Sequence, residues 1–288
     1  MKEIKKVTIK DKNYPKLLKK IVNPPEILYV RGEIFPEEKC FAIVGTRRCS
    51  AYGKEIALAI AGELAEAGLT IVSGLAPGID TFAHRATLER DKRTIAVLGT
   101  GLDEESIYPR SNLSLARKIL ETGGGLISEY PPGTSGSKFT FPQRNRIISG
   151  LSLGVLVVEA KRKSGALITA EWAKKQGRKI LAVPGPVHSL NSQGCHYLIK
   201  KGAELVENAN DVLRELSLPQ LTRTGFFEKA ENSEEQLILG ALKEGALEID
   251  KIIEKTNLFP QRVAALLAIL EIEGKVRNLE GNIYALKR

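Results

Sequence analysis

Residues 40–80 read CFAIVGTRRCSAYGKEIALAIAGELAEAGLTIVSGLAPGID. The stretch holds two short apolar runs, FAIVG at 41–45 and LTIVSG at 69–74, each ending in glycine. Continuous apolar runs of this length suit strands buried on both faces of a parallel sheet. Between them Ile56, Ile60 and Leu64 form one row at helical spacing, and Ala57, Ala61 and Ala65 form a second. That is the stripe of a helix over 50–67 that covers the sheet. Strand, helix, strand is the unit from which doubly wound sheets are built.

The pattern continues outward. TIAVLG (94–99), GLISE (125–129), GVLVVEA (154–160) and KILAVPG (179–185) are further strand candidates, and AELVE with a helix over 208–216 closes the series. The fold class is therefore α/β: an extended Rossmann-like, doubly wound, mainly parallel sheet over 37–216. Residues 1–36 form a lead-in. Tyr14, Leu17, Leu18 and Ile21 are spaced for a short amphipathic helix, Pro24-Pro25 ends it, and ILYVRG reads as a short strand. Residues 217–232 lack periodicity and read as a linker. Beyond it, helices over 233–244, 248–255 and 260–272 precede KVRNLEGNIYAL, which has the alternation and Gly-Asn turn of a hairpin. Three helices and a hairpin give a small C-terminal winged-helix domain over 233–288.

Composition narrows the function. Of 288 residues, 43% are hydrophobic and 27% charged, ordinary for a soluble globular chain. No apolar run approaches the ~20 residues that span a bilayer, so no membrane partner is expected. The opening MKEIKKVTIKDKNYPK is charged and lacks the apolar segment of a secretory signal. A cytoplasmic location is the expectation. Cys40, Cys49 and Cys195 are odd in number and far apart, which suggests neither a disulfide framework nor a zinc site. The net charge is +9, yet residues 232–288 hold eight Lys/Arg against nine Asp/Glu. The basic excess belongs to the large domain and points to a polyanionic partner there.

Ligands of an open parallel sheet sit at the carboxyl ends of its strands. Five loops at those ends are rich in small residues, and the first and last of them carry Arg and Lys: Gly45-Thr46-Arg47-Arg48-Cys49-Ser50, Ser73-Gly74-Leu75-Ala76-Pro77-Gly78-Ile79-Asp80, Gly99-Thr100-Gly101-Leu102-Asp103, Ser128-Glu129-Tyr130-Pro131-Pro132-Gly133 and Lys161-Arg162-Lys163-Ser164-Gly165. Glycine lets backbone N–H groups approach a ligand, and helix N-termini aim unpaired N–H groups at it. A single such loop is explained by tight turns alone; five on one rim, with Arg and Lys among them, indicate phosphate binding. Neither a dinucleotide G-x-G-x-x-G fingerprint nor a Walker A sequence is present. No cofactor is expected, and none of His84, His188 and His196 has metal-ligand spacing.

Lys138-Phe139-Thr140-Phe141-Pro142-Gln143-Arg144-Asn145-Arg146 is the sharpest segment. Its cations suit phosphates and its aromatic rings suit unpaired bases, the combination of a single-strand site. The competing reading makes Phe139 and Phe141 core anchors under a basic helix start. Gly150-Leu151-Ser152-Leu153-Gly154 fits G-x-S-x-G, but its serine ends a helix and precedes a strand, the reverse of a nucleophile elbow. His84 reads as a capping or packing residue. Glu129 and Glu159 end strands on the rim and are either general bases or structural partners of Arg47 or Arg144; with no nucleophile nearby, the structural role is preferred. The third tail helix, QRVAALLAILEIEG, carries one Arg and two Glu, too few cations for a groove-reading helix.

GTRRCSAYG, SGLAPGID, VLGTGLD, SEYPPG, FPQRNRIISGLS, VVEA, SGALITA and AVPGP occur in this order. Together they resemble the DprA (Smf) family of DNA-processing proteins, from about Tyr14 to Leu216, and a winged-helix tail is common in that family. The resemblance implies a homodimer that binds single-stranded DNA without catalysis, protects incoming strands and loads the RecA recombinase on them during natural transformation. Carried over by position, Arg47 is the phosphate-contacting Arg of a G-x-R motif, and Lys138 and Phe141 are the Lys and base-stacking Phe ahead of R-N-R-I-I. Ser73, Gly74, Gly78, Ser164 and Gly165 form the backbone cradle. Ser50, Arg144 and Asn145 complete the expected DNA-binding set. The alternative is a nucleotide sensor or phosphoribohydrolase-like enzyme using the same pocket, with Glu129 or Glu159 as its carboxylate.

Overall fold

The computed structural model describes residues 3–221, 233–279 and 281–287. The chain divides into two compact units, Met1–Leu221 and Thr222–Arg288. The expected linker over 217–232 lies outside the described residues beyond 221.

The large unit is built on one sheet. Its strands are β1 (Ile4–Thr8), β2 (Ile27–Gly32), β3 (Cys40–Val44), β4 (Thr70–Ser73), β5 (Thr94–Leu98), β6 (Gly125–Ser128), β7 (Ser152–Val157), β8 (Lys179–Ala182) and β9 (Glu204–Leu205). Their order is β1-β2-β6-β5-β4-β3-β7-β8-β9. From β6 to β9 every pairing is parallel, as the apolar runs require. β2 pairs antiparallel with β6, and β1 with β2. Sequence reading missed β1: in Ile-Lys-Lys-Val-Thr two lysines interrupt the apolar signal, and this edge strand buries no residue fully.

The helices are α1 (Lys16–Lys19), α2 (Ala51–Glu66), α3 (Ile79–Leu88), α4 (Leu113–Glu121), α5 (Thr140–Leu151), α6 (Gly165–Lys175), α7 (Gln193–Lys200) and α8 (Ala209–Glu215). Alternate strand residues feed opposite layers. Phe41 and Ile43 pack with Ile60, Leu64 and Leu213 on one face, and Ala42 and Val44 pack with Leu18, Ile147 and Ala170 on the other. Each such fully buried Leu or Ile contributes about 1.5–3 kcal/mol, so register is fixed on both faces. Cys40 and Cys195 are buried in this core, and all three cysteines are free thiols.

In the smaller unit, α9 (Ser233–Ala241), β10 (Leu247–Glu248), α10 (Ile249–Thr256), α11 (Pro260–Ile272), β11 (Val276–Asn278) and β12 (Ile283–Leu286) form a winged helix. Its sheet order is β10-β12-β11, and Ile238, Leu242, Ile252, Val263, Leu267 and Val276 make its separate core. Sequence reading missed β10, whose two residues are too few to show alternation. Among the described residues no helix is long and apolar enough to cross a membrane, and no group of His, Cys, Asp and Glu could hold a metal ion.

Candidate nucleic-acid interface

Strands following β3 in sequence run one way across the sheet, through β4, β5 and β6; those from β7 onward run the other way. The switch point therefore lies between β3 and β7, and the crevice outside their carboxyl ends is where an open α/β sheet takes its ligand. The loop after β3 carries Arg47 and Ser50; the loop after β7 carries Lys161, Arg162, Lys163 and Ser164.

The first loop is tied across the switch point by Glu159. Its carboxylate accepts the Ser50 N–H at 2.9 Å and the Ser50 hydroxyl at 2.6 Å, while its carbonyl accepts Thr46 N–H at 2.7 Å. Ser50 Oγ in turn accepts Gly53 N–H at 3.1 Å and caps α2. Asn191 donates to the Arg48 carbonyl at 3.1 Å from the far side. With backbone and cap held in this way, Arg47 and Arg48 stand exposed at the loop tip. Sequence reading missed Asn191: it lies 143 residues from Arg48 and no local pattern marks it.

The second loop is organised from within. Asp80 Oδ2 accepts Gly74 N–H at 3.0 Å and Ala76 N–H at 3.4 Å. Burial raises the Asp80 pKa, opposed by Arg144 and by these hydrogen bonds. Ser73 is fully buried and donates to the Ile43 carbonyl at 2.6 Å. Ser73 and the Gly74 N–H thus hold the loop from below. Gly78 caps α3 at φ 78°, and a Cβ there would overlap the Thr46 carbonyl oxygen. That close approach locks the first two loops together.

The N-terminal part of α5 joins the remaining loops. Arg144, 5% exposed, donates to the Gly74 carbonyl at 2.8 Å and to the Val97 carbonyl, and its Nε donates to Asn145 Oδ1 at 3.2 Å. Burial lowers its pKa to about 10, with Asp80 opposing and Arg47 adding to the shift. Asn145 Nδ2 donates to the Gly165 carbonyl at 3.1 Å. Buried Arg146 pairs with Glu129 at 2.5 Å. Glu129 therefore takes the neighbouring arginine rather than Arg47 or Arg144, and Glu159 takes a serine cap. Both carboxylates are held in structural contacts.

Above this scaffold lie the outward groups. Phe141 is half-buried: its ring sits so close to Gly99 and Gly136 that a Cβ at either would come within 2.9 and 2.5 Å of it. The Arg47 guanidinium lies 5.7 Å from the ring centroid. Lys138 is exposed with its ammonium 5.2 Å over Phe139, whose side chain is 71% exposed. Phe139 is thus no core anchor. At the other end, Ser164 occupies the N-cap of α6, its buried hydroxyl without a hydrogen-bond partner, and Gly165 is open to solvent. The rim is a cationic surface with aromatic rings at one end and a helix N-terminus at the other, on which a flexible polyanion with unpaired bases would find both charge and stacking partners.

The chain is similar to proteins of one known family. A family model described as DNA recombination-mediator protein A matches residues 5–217, and one described as the DprA winged helix domain matches 228–282. Protein Smf of Escherichia coli is 38% identical over 285 residues, covering 96% of this chain and 75% of that protein. The X-ray structure of DNA processing protein A from Streptococcus pneumoniae superposes with a TM-score of 0.68 at 43% identity, covering 74% of each chain. A Helicobacter pylori structure, described as giving the single-stranded DNA binding mode of DNA processing protein A, superposes with a TM-score of 0.66 at 32% identity. It covers 75% of this chain and 98% of that one.

Proposed function

The chain belongs to the DNA recombination-mediator protein A family, and we propose from that membership that it is a non-enzymatic single-stranded DNA mediator. In this reading it acts in the cytoplasm as a homodimer, protects incoming strands and loads RecA on them during natural transformation. The observation that carries it is the exposed Arg47 beside the slotted Phe141 ring, with Lys138 and Phe139 projecting nearby. The Helicobacter pylori relative described as binding single-stranded DNA supports it.

The roles divide by height on the rim. Arg47, Lys138 and Phe141 meet phosphate and base. Gly78, Ser164 and Gly165 form the backbone cradle around the switch point, and Ser50 ties the Arg47 loop to Glu159 beside it. Ser73, Gly74, Arg144 and Asn145 keep the loops in register beneath it. The phosphoribohydrolase-like alternative needs a rim carboxylate to act as a base; Ser50 takes both oxygens of Glu159, and Arg146 takes Oε1 of Glu129, whose Oε2 is buried without a hydrogen-bond partner. Loading is tested by following RecA's DNA-dependent ATP hydrolysis on strands pre-coated with a single-strand-binding protein. The chain should shorten the lag before hydrolysis, and Arg47→Ala should restore it. An unchanged lag with the intact chain contradicts the mediator role while leaving strand binding standing.

A further inference from the structure

Two large rings on the Phe141 side of the rim stand exposed, those of Tyr108 and Phe139. Tyr108, in the loop between β5 and α4, is 51% exposed; its ring centroid lies 5.8 Å from that of Phe141, with the planes at 45°. Phe139 lies two residues before Phe141 and is 71% exposed. Phe141 itself is wedged by Gly99 and Gly136 and faced by Arg47, so only part of its ring is left for a base.

Tyr108 is held out rigidly. Ile107 before it is buried at 1%. After it, Asn112 Nδ2 donates to the Leu75 carbonyl and to Thr81 Oγ1, each at 2.8 Å. On the other side Asp103 accepts Ser106 N–H at 3.2 Å, the Ser106 hydroxyl at 2.6 Å and Gly133 N–H at 2.7 Å. Those bonds join the Tyr108 loop to the loop after β6. A ring carried on a loop tied in this way is presented to solvent before a ligand arrives, which lowers the cost of ordering it on binding. Arg110, exposed two residues on, donates to the Glu104 carbonyl and ties the same loop from its other end.

Resting on the single-strand reading above, we infer that Tyr108 is a further base-stacking residue, and that Tyr108, Phe141 and Phe139 form one track for consecutive unpaired bases. Phe141 is its pinned centre, and Tyr108 and Phe139 are its open platforms. Stacking on such faces is tolerant of base identity, so the track predicts length dependence rather than sequence preference.

The test measures binding of labelled oligo-dT and of a strand of equal length carrying consecutive abasic sites, to the intact chain, Arg47→Ala, Tyr108→Ala and Tyr108→Trp. Tyr108→Ala should weaken oligo-dT binding by about 5- to 150-fold, the effect of losing one stack. It should leave the abasic strand unaffected, and Tyr108→Trp should bind oligo-dT at least as tightly as the intact chain. In a Trp172→Phe background, indole emission from Tyr108→Trp should be quenched by oligo-dT and not by the abasic strand. Unchanged oligo-dT affinity in Tyr108→Ala, or equal losses on both strands, overturns the track while Arg47→Ala still reports the rim. If the intact chain binds neither strand, the single-strand reading and the track fall together.

Discussion

At the scale of single residues, burial separates the supporting groups from the exposed rim. Phe141 stands at the boundary, half-buried. Phe141→Ala should cost about 1–3 kcal/mol of single-strand affinity if bases stack there, measured by titration with oligo-dT at fixed salt. A fall in unfolding midpoint with unchanged affinity would make the ring only an anchor for Gly99 and Gly136. His84 belongs wholly to support. It is fully buried, and Thr94 Oγ1 lies 2.8 Å from its Nδ1. Because the Thr94 hydroxyl donates to the Ile71 carbonyl, Nδ1 must carry the proton and donate to Thr94. Burial, with Arg144 adding to it, lowers the His84 pKa from 6.5 to about 3. Between those values the unfolded chain takes up a proton that the folded chain refuses, so stability falls as pH drops below 6.5. The loss approaches roughly 1.4 kcal/mol per pH unit. Denaturant unfolding of His84→Gln against the parent between pH 7 and 4 should show the variant losing less; parallel curves would contradict a neutral buried histidine. The packing role of His84 was legible because it lacks metal spacing. The ion pair of Glu129 with Arg146 was not, since Arg144 and Arg146 both lie in one motif and only the turn of α5 selects between them.

At the scale of elements, the strands declared themselves and the couplings between loops did not. Runs such as FAIVG and TIAVLG are apolar because β3 and β5 are buried on both faces. β1 is an edge strand with lysines, and no periodicity announces it. The cap of α2 shows how loops are joined: Ser50 accepts the Gly53 N–H and donates to Glu159, a residue 109 positions away. Ser50→Ala removes an N-cap, worth about 1 kcal/mol, and leaves Glu159 short of its hydroxyl partner. Chemical denaturation should show a loss of at least that size, and single-strand affinity should fall with it because the Arg47 loop loosens. A loss of stability with affinity intact would show that the cap and the binding loop are uncoupled.

At the scale of the whole molecule, charge and topology point to one edge of one domain. The net charge is +9, the tail from 232 contributes more acids than bases, and exposed Arg47, Arg48, Lys138, Lys161, Arg162 and Lys163 gather on loops at the carboxyl rim. The doubly wound sheet and the winged helix were both readable because each rests on periodicity. The strand order, which places the switch point between β3 and β7, was not, since nothing local in a strand names its neighbour. A rim that binds phosphates releases counterions, so affinity must fall with salt roughly in proportion to the contacts made. The most direct test is fluorescence anisotropy of labelled oligo-dT and of its duplex counterpart over a series of salt concentrations, with the intact chain and the Arg47→Ala/Lys138→Ala double variant. Tight binding of the single strand, steeply weakened by salt, with lower affinity and a shallower salt slope in the double variant, is the predicted result. A preference for duplex, or single-strand binding that the double variant keeps at full strength, would contradict the rim as the DNA site.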